Sequence, residues 1–486
     1  MDPRTWFKDL TPYFIYLLLF ATTGPLLFGF HLAELNAPED VIRCKAKSAT
    51  SANLPQCMPM TSAQWGLVGS IYTLGGFLGA VISGTLSSSY GRLRVMQLNT
   101  AFFIVGPILQ ALAPNLTVLG IGRFISGIGA GTAMVVAPLY VSEISPPAER
   151  GFFGACTQVM VNVGILIAQL LGFFLSKGQL WRIILAAGGG IGLVQALGLF
   201  FGVESPKWTA EYRNVSEAKR NLRRIRGEDY DISEETGGWN TEDSNLTDEH
   251  ETLLRGEEEL SNVAMKAERK ENLSIFQIWQ YPNHRRAVFA VMMVMVAQQF
   301  TGINSIVMYG VGLLSSLLQS NSALLNLVVS ALNIIVTAAT APLVDRLGRK
   351  VCILNSIFVM GASSLLLAIG IIKSIKILSA VAVLLFVSGF ALGLGPVPFI
   401  LASELVDPEA VGATQSWALS SNWISTFCVA QFFPILNEQL HGKVYLIFTG
   451  LAAFFFVFVT WYVPESKGKK TADEVWGRES SARRVD

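Results

Sequence analysis

Charge is scarce in this chain. Only 15% of its 486 residues are Asp, Glu, Lys or Arg, against the roughly 25% of a soluble globular protein. Apolar residues make up 51% and the mean hydropathy is +0.47, so water alone does not solvate it. A net charge of +1, with the charges confined to short connecting stretches, argues against nucleic acid as a partner. Histidine is rare too, with four residues, and the five cysteines at 44, 57, 156, 352 and 428 show no CxxC or other metal-ligand spacing. No metal and no cofactor are therefore expected. The chain also lacks a nucleophile and base pair, a metal set and a phosphate loop, which excludes an enzyme. Cys44 and Cys57 share one polar stretch. They either pair, if that stretch faces an oxidising compartment, or stay free thiols.

What is present is a series of long apolar runs. A helix needs about 20 apolar residues to cross the hydrocarbon core, because its backbone groups must be satisfied within the segment. Twelve runs qualify, near 11–33, 64–86, 95–113, 117–139, 153–175, 181–202, 287–316, 322–344, 351–372, 377–401, 412–433 and 443–463. The first follows Arg4 and Lys8 without a small-residue cleavage site and reads as a retained helix. Basic residues in the short loops, Arg92 and Arg94, Arg150, and Arg346, Arg349 and Lys350, place both termini on the cytosolic side.

One long polar stretch, 204–286, divides the chain. Its start is basic and its middle, Glu228 to Glu259, is acidic, a composition expected to be disordered between short amphipathic helices. The sequons at Asn214, Asn245 and Asn272 fall here, on a side where they escape glycosylation. Three polar landmarks recur across the division: Gly91-Arg92 as Gly348-Arg349, Glu143 as Glu404, and Glu204-Ser205 as Glu465-Ser466, at offsets of 257, 261 and 261 residues. A near-constant offset indicates a duplicated unit. The expected fold is an all-α membrane protein of twelve transmembrane helices in two pseudo-symmetric six-helix bundles. Residues 1–203 form the first bundle, 204–286 a cytosolic linker, 287–464 the second bundle and 465–486 a short cytosolic tail.

Polar side chains within apolar spans need partners, so their positions mark the bundle interior. Gln158, Asn162 and Gln169 of the fifth span lie within about 40° of one face. They either contact a substrate or glue helices together. The seventh span holds Gln298, Gln299, Gly302 and Asn304, whose amides do not share a face of a regular helix, and Gly302 permits a break. Asn326 and Asn333 face one way in the eighth. Gly393, Gly395, Pro396 and Pro398 interrupt the tenth before Phe399, and Gln415, Asn422 and Trp423 occupy the eleventh. Neutral amides with aromatic rings suit an uncharged polyhydroxylated ligand, since amides match hydroxyls and rings cover C–H faces.

Two ionic clusters are expected near the cytosolic ends. One comprises Arg92, Glu143, Arg150 and Glu204, and its counterpart Asp345, Arg346, Arg349, Glu404 and Glu465. They read as ion pairs that hold the two halves together in one state. The alternative, positive-inside anchoring, explains the arginines but not the recurring glutamates.

These residues resemble the sugar porter family of the major facilitator superfamily, especially the facilitative glucose transporters of animals and their fungal relatives. The carriers are FGFHLAELNAP at 28–38, GRFISGIGAG at 122–131, PLYVSEISPPAERG at 138–151, GILIAQ at 164–169, QQFTGIN at 298–304, DRLGRK at 345–350, GPVPF at 395–399, SNW at 421–423 and PESKG at 464–468. The resemblance implies the major facilitator fold and alternating-access transport of a hexose-like sugar, facilitative or proton-linked, by a monomer in a lipid bilayer. It implies that Gln158, Gln298, Gln299, Asn304, Asn333 and Asn422 bind the sugar beside Trp423. Phe399, also expected to contact the sugar as an apolar lid, stands where the family often has tryptophan, and Ser88, Ser89 and Val411 depart from the family's gate motifs. His31 replaces an aspartate of proton-coupled members or an asparagine of facilitative ones. With Glu34 one turn on, it reads as a proton-responsive pair or as a neutral structural residue. A polyol or inositol transporter and a non-transporting sugar sensor are the alternatives. Fungal relatives with this type of first helix suggest a vacuolar membrane rather than the plasma membrane.

Overall fold

The computed structural model describes residues 10–45, 54–228, 230–237, 239, 276–318, 321–469 and 471–477. The acidic middle of the linker, with Asn245 and Asn272, lies outside them. Among the described residues every regular element is helical.

The first half supplies α1 (Pro12–Ala33), α2 (Ser62–Tyr90), α3 (Arg92–Ala111), α4 (Leu116–Ile144), α5 (Arg150–Leu175) and α6 (Trp181–Phe200). The second supplies α7 in two pieces (α7a Pro282–Phe300, α7b Ile303–Leu318), α8 (Asn321–Leu347), α9 (Arg349–Ile372), α10 in two pieces (α10a Lys376–Leu392, α10b Val397–Glu404), α11 (Val411–Leu440) and α12 (Val444–Tyr462). Ten stretches are long and apolar enough to cross a membrane by composition alone. One of them, Val411–Tyr462, contains both α11 and α12, parted by the turn His441–Lys443. The helix Arg92–Ala111 falls outside the ten because Arg94, Gln97, Asn99 and Gln110 dilute its hydropathy.

Local chemistry sets the helix ends. Thr11 accepts from the Phe14 N–H with Pro12 at the first position, and Thr61 and Gln64 form a reciprocal capping box at α2. Several helices outrun the apolar counts: α2 and α4 each have 29 residues, since polar ends continue the helix beyond the hydrocarbon. The burial pattern is inverted relative to a soluble protein. Leu98, Phe358, Ile377 and Trp461 are exposed, whereas Asn99, Arg123, Asn162 and Gln298 are buried.

The repeated landmarks have one structural explanation. Gly91 joins α2 to α3 at φ +99° and Gly348 joins α8 to α9 at φ +105°. At each joint a glutamate caps the next helix: Glu204 Oε1 accepts from the Arg92 and Leu93 N–H groups at 2.8 and 2.9 Å. Glu465 accepts from the Arg349 and Lys350 N–H groups at 2.8 and 3.1 Å. A carboxylate at a helix N-terminus satisfies unpaired amides and complements the helix dipole. A Cβ on Gly91 would lie 2.4 Å from Glu204 Oε2. Gly91→Ala therefore combines left-handed strain with displacement of the cap, at a cost of about 2–4 kcal/mol. A clear fall in the detergent unfolding midpoint is expected, whereas Ser88→Ala, on an exposed hydroxyl bonded only within its own helix, leaves it unchanged.

The two halves meet along α2 with α11 and α5 with α8. Ser70 donates to Gln431 at 2.8 Å, and Asn162 donates to Thr337 at 2.9 Å. Asn36, just after α1, enters the ladder of α7b: its amide donates to the Val307 carbonyl at 2.8 Å and accepts from the Val311 N–H at 2.9 Å. Asn36 thus takes both the acceptor and the donor of one turn of α7b, tying the end of α1 to the second half. These contacts lie at mid-membrane or on the face opposite the linker. Toward the linker face, a Cβ built on Gly84 of α2, Gly154 of α5 or Gly412 of α11 would meet nothing within 4 Å among the described residues. Among the described residues, then, the halves are joined on one face and open at these helix ends on the other.

Candidate functional site

The seventh span breaks where its amides fail to share a face. After Phe300, Thr301 and Gly302 interrupt the helix, with Gly302 at φ +101°, and α7b restarts at Ile303. The tenth span breaks between Leu392 and Val397, exposing the Leu394 and Gly395 carbonyls. Gln298 donates to both, at 2.5 and 3.1 Å. Its own carbonyl accepts from Asn422 at 2.5 Å and from Gln299 at 3.2 Å, and Gln299 accepts in turn from Asn304 at 2.6 Å. One chain of amides thus runs from α7b through α7a to the α10 break and α11.

This chain forms part of the wall of a cavity of about 90 Å³ between the halves. One water needs roughly 10–15 Å³ by this kind of measure, so the space suits a small polar molecule. Gln158, Asn333, Phe399 and Trp423 also line it, so all eight residues expected to contact substrate converge there. Trp423 lies against α2, where a Cβ on Gly76 would come within 2.3 Å of its ring. Phe28 packs edge-on against the same indole with centroids 5.7 Å apart.

Asn162, which the sequence offers as a substrate contact or as helix glue, lines the cavity as well, together with Phe28, Phe390 and Thr426, which sequence reasoning did not place there. Asn162 had a signal, four residues after Gln158 on one face. Asn333 donates to Asn162 at 3.3 Å while Asn162 donates to Thr337, so Asn162 joins α5 to α8 at the cavity wall. Gln169 is buried away from the cavity, and Asn326 bonds the Ser322 carbonyl of its own helix.

The ionic clusters differ from expectation. Arg92 pairs bidentately with Glu143, both bonds 2.9 Å, and Arg349 pairs with Glu404 at 2.9 Å. Each pair joins helices of the same half, so in this state neither ties the two halves together. Glu204 and Glu465 cap backbone amides rather than joining arginine side chains. Arg150 is exposed and makes no ion pair among the described residues. Its counterpart position, Val411, therefore costs the second cluster nothing here. Arg346 is exposed, its carbonyl accepting from Lys467, and the Asp345 side chain lies outside the described residues.

His31 and Glu34 are fully buried. His31 Nδ1 lies 2.9 Å from Glu34 Oε2, and Glu34 Oε1 accepts from Arg123 at 2.7 Å. Arg123 also donates to the His31 carbonyl at 2.6 Å and sits over the Tyr72 ring, 4.4 Å from its centroid. His31 Nε2 has no hydrogen-bond partner among the described residues. Beyond the membrane, Cys44 and Cys57 are joined in a disulfide.

Residues 17–476 match the family described as "Sugar (and other) transporter". The chain belongs to this sugar transporter family. A probable metabolite transport protein of Saccharomyces cerevisiae is 33% identical over 96% of each chain. The vacuolar protein sorting-associated protein 73 of the same yeast is 29% identical over 96% of each. The sheep facilitated glucose transporter member 3 is 28% identical over 96% of this chain and 92% of its own. Among solved structures, the xylose transporter of E. coli in a partially occluded inward-open conformation superposes with a TM-score of 0.73, at 22% identity over 95% of this chain and 100% of that one. The fold is thus that of the major facilitator transporters, and the protein is a multi-pass membrane protein.

Proposed function

We propose that this transporter carries a hexose-like sugar by alternating access, through a site made of Gln158, Gln298, Gln299, Asn304, Asn333, Asn422, Phe399 and Trp423. The observation that carries this reading is the continuous amide chain in a cavity between two halves joined on one face only. Uncharged amides offer donors and acceptors to sugar hydroxyls, and Trp423 and Phe399 offer faces to its C–H surface. Resemblance to the glucose and xylose transporters supports a sugar over a polyol or inositol. Counterflow of labelled glucose in proteoliposomes tests it: exchange above empty liposomes is expected, and binding without exchange would identify a sensor instead.

The Arg92–Glu143 and Arg349–Glu404 pairs are proposed to act within each half, holding the linker-side helix ends in register as the halves rock. Closure toward the linker brings these ends together.

The His31 geometry favours proton linkage. A neutral imidazole that donates from Nδ1 to the Glu34 carboxylate keeps Nε2 as a buried, unpartnered acceptor. Glu34, Arg123 and Tyr72 are the titratable and charged groups that face it. Taking up a proton there converts a neutral trio into a net cation, a change felt strongly in a low-dielectric interior. Uptake is expected to rise when an inward proton gradient is imposed. His31→Asn should remove that response while leaving counterflow at equal pH intact, and an unchanged response in the variant refutes the assignment.

The Cys44–Cys57 disulfide lies on the face opposite the linker, which fits a lumenal or extracellular loop and a cytosolic linker. Resemblance to the yeast vacuolar sorting-associated protein supports the vacuolar membrane. Co-fractionation of a tagged chain with vacuolar or plasma membranes decides between them.

A further inference from the structure

After the short helix Pro206–Tyr212, the linker holds a second helix whose outward face has no part in the transport site. Between 207 and 226 the chain holds seven basic residues against Glu211 and Glu217. The helix Val215–Arg226 is capped by Asn214 and ends at Gly227. Ala218, Leu222 and Ile225 are buried, and Thr11 donates to the Ile225 carbonyl at 2.5 Å. Arg226 is consumed internally, donating to Glu235 at 2.8 Å and to the Ile144 carbonyl at 2.7 Å. At 100° per residue, Lys219, Arg220, Arg223 and Arg224 fall in an arc of about 140° on the opposite side of the helix. Among the described residues none of these four makes an ion pair.

The position of this face relative to the bilayer follows from Tyr13. Arg224 sits over the Tyr13 ring, 4.7 Å from its centroid, and the Tyr13 hydroxyl donates to the Phe201 carbonyl at 2.9 Å. Phe200 and Phe201 are 76% and 64% exposed at the end of α6, and Ile15 and Leu19 of α1 are exposed above Tyr13. An exposed apolar band ending in tyrosine and phenylalanine marks the membrane interface. The basic arc therefore starts at headgroup level and extends along the helix from there.

We infer that the Lys219, Arg220, Arg223 and Arg224 face binds anionic phospholipid headgroups in the leaflet on the linker side. Guanidinium groups match phosphate oxygens bidentately, and juxtamembrane basic clusters are drawn to anionic leaflets. Among the described residues no carboxylate neutralises the arc, and Arg224 alone meets a ring, that of Tyr13. Binding there would tether the linker helix, and through Ile225 and Arg226 the ends of α1 and α4, to the bilayer surface.

The test uses the full-length chain purified in neutral detergent, with the unfolding midpoint followed as phosphatidylserine, phosphatidylcholine or inorganic phosphate is titrated. Phosphatidylserine should stabilise at far lower concentration than phosphatidylcholine. The triple variant Arg220→Gln, Arg223→Gln, Arg224→Gln should weaken that response about 100-fold without altering the lipid-free midpoint. Raising the salt from about 0.05 to 0.3 M should weaken the wild-type response. Equal responses to the two lipids overturn the inference, as does an unaffected triple variant. Equal stabilisation by inorganic phosphate would assign the face to a free anion. A response that appears only after deletion of 241–259 would assign it to the chain's own acidic segment.

Discussion

Gln298→Ala is expected to cut sugar uptake in proteoliposomes by about 30-fold or more at subsaturating sugar, with the protein still folded. Gln298 is the hub of the amide chain: it fixes the α10 break through Leu394 and Gly395 and receives Asn422 and Gln299. Removing it deletes the groups that would meet substrate hydroxyls and releases Asn422 and Gln299 from their bound rotamers. Two or three hydrogen bonds at about 1 kcal/mol each amount to that factor in binding. Stability suffers less, because water can enter the cavity and satisfy the freed carbonyls. Asn304→Ala acts in the same direction but more weakly, since Asn304 sits at the end of the chain. Uptake normalised to the folded fraction decides the matter. Full uptake by both variants removes the central assignment.

Arg123→Leu is expected to abolish folded expression. Arg123 and Glu34 are a fully buried ion pair, and deleting the cation leaves a carboxylate inside the bundle beside a histidine. Breaking a buried pair on one side costs roughly 3–5 kcal/mol, a large share of the 5–15 kcal/mol that holds a typical domain. The Tyr72 ring loses its cation and the His31 carbonyl its donor in the same step. Glu34→Gln combined with Arg123→Gln removes both charges and keeps hydrogen-bonding capacity, so the double variant should recover much of the lost folded yield. Size-exclusion profiles of the fluorescently tagged single and double variants measure this. A well-folded Arg123→Leu protein would show that the pair contributes little.

The contrast between those two sites shows where sequence reasoning reached. The amides Gln298, Gln299, Asn304 and Asn422 stood out because neutral polar side chains in apolar spans are conspicuous, and a helical wheel exposed the need for a break at Gly302. Arg123 is a charge inside the apolar run 117–139, and Glu34 stands one turn after His31. Their pairing across α1 and α4 was not legible, because two residues 89 apart in the chain carry no local signal of contact. Of the recurring glutamates, Glu143 and Glu404 meet arginines as the sequence suggests, whereas the partners of Glu204 and Glu465 differ. Sequence offers arginines as partners for carboxylates, whereas Glu204 and Glu465 satisfy backbone amides that any residue would present.

Composition and periodicity by themselves determined that the chain lives in a membrane, and they set out twelve apolar runs with uncharged amides among them. Those properties follow from the cost of placing peptide and polar groups in hydrocarbon, which each segment must meet on its own. Only the tertiary structure decided that Asn36 bonds the backbone of α7b, that Cys44 bonds Cys57, and that the Arg92–Glu143 and Arg349–Glu404 pairs each stay within one half. It alone showed that the halves part toward the linker. Such facts depend on distances between segments far apart in sequence, which packing sets and local pattern does not.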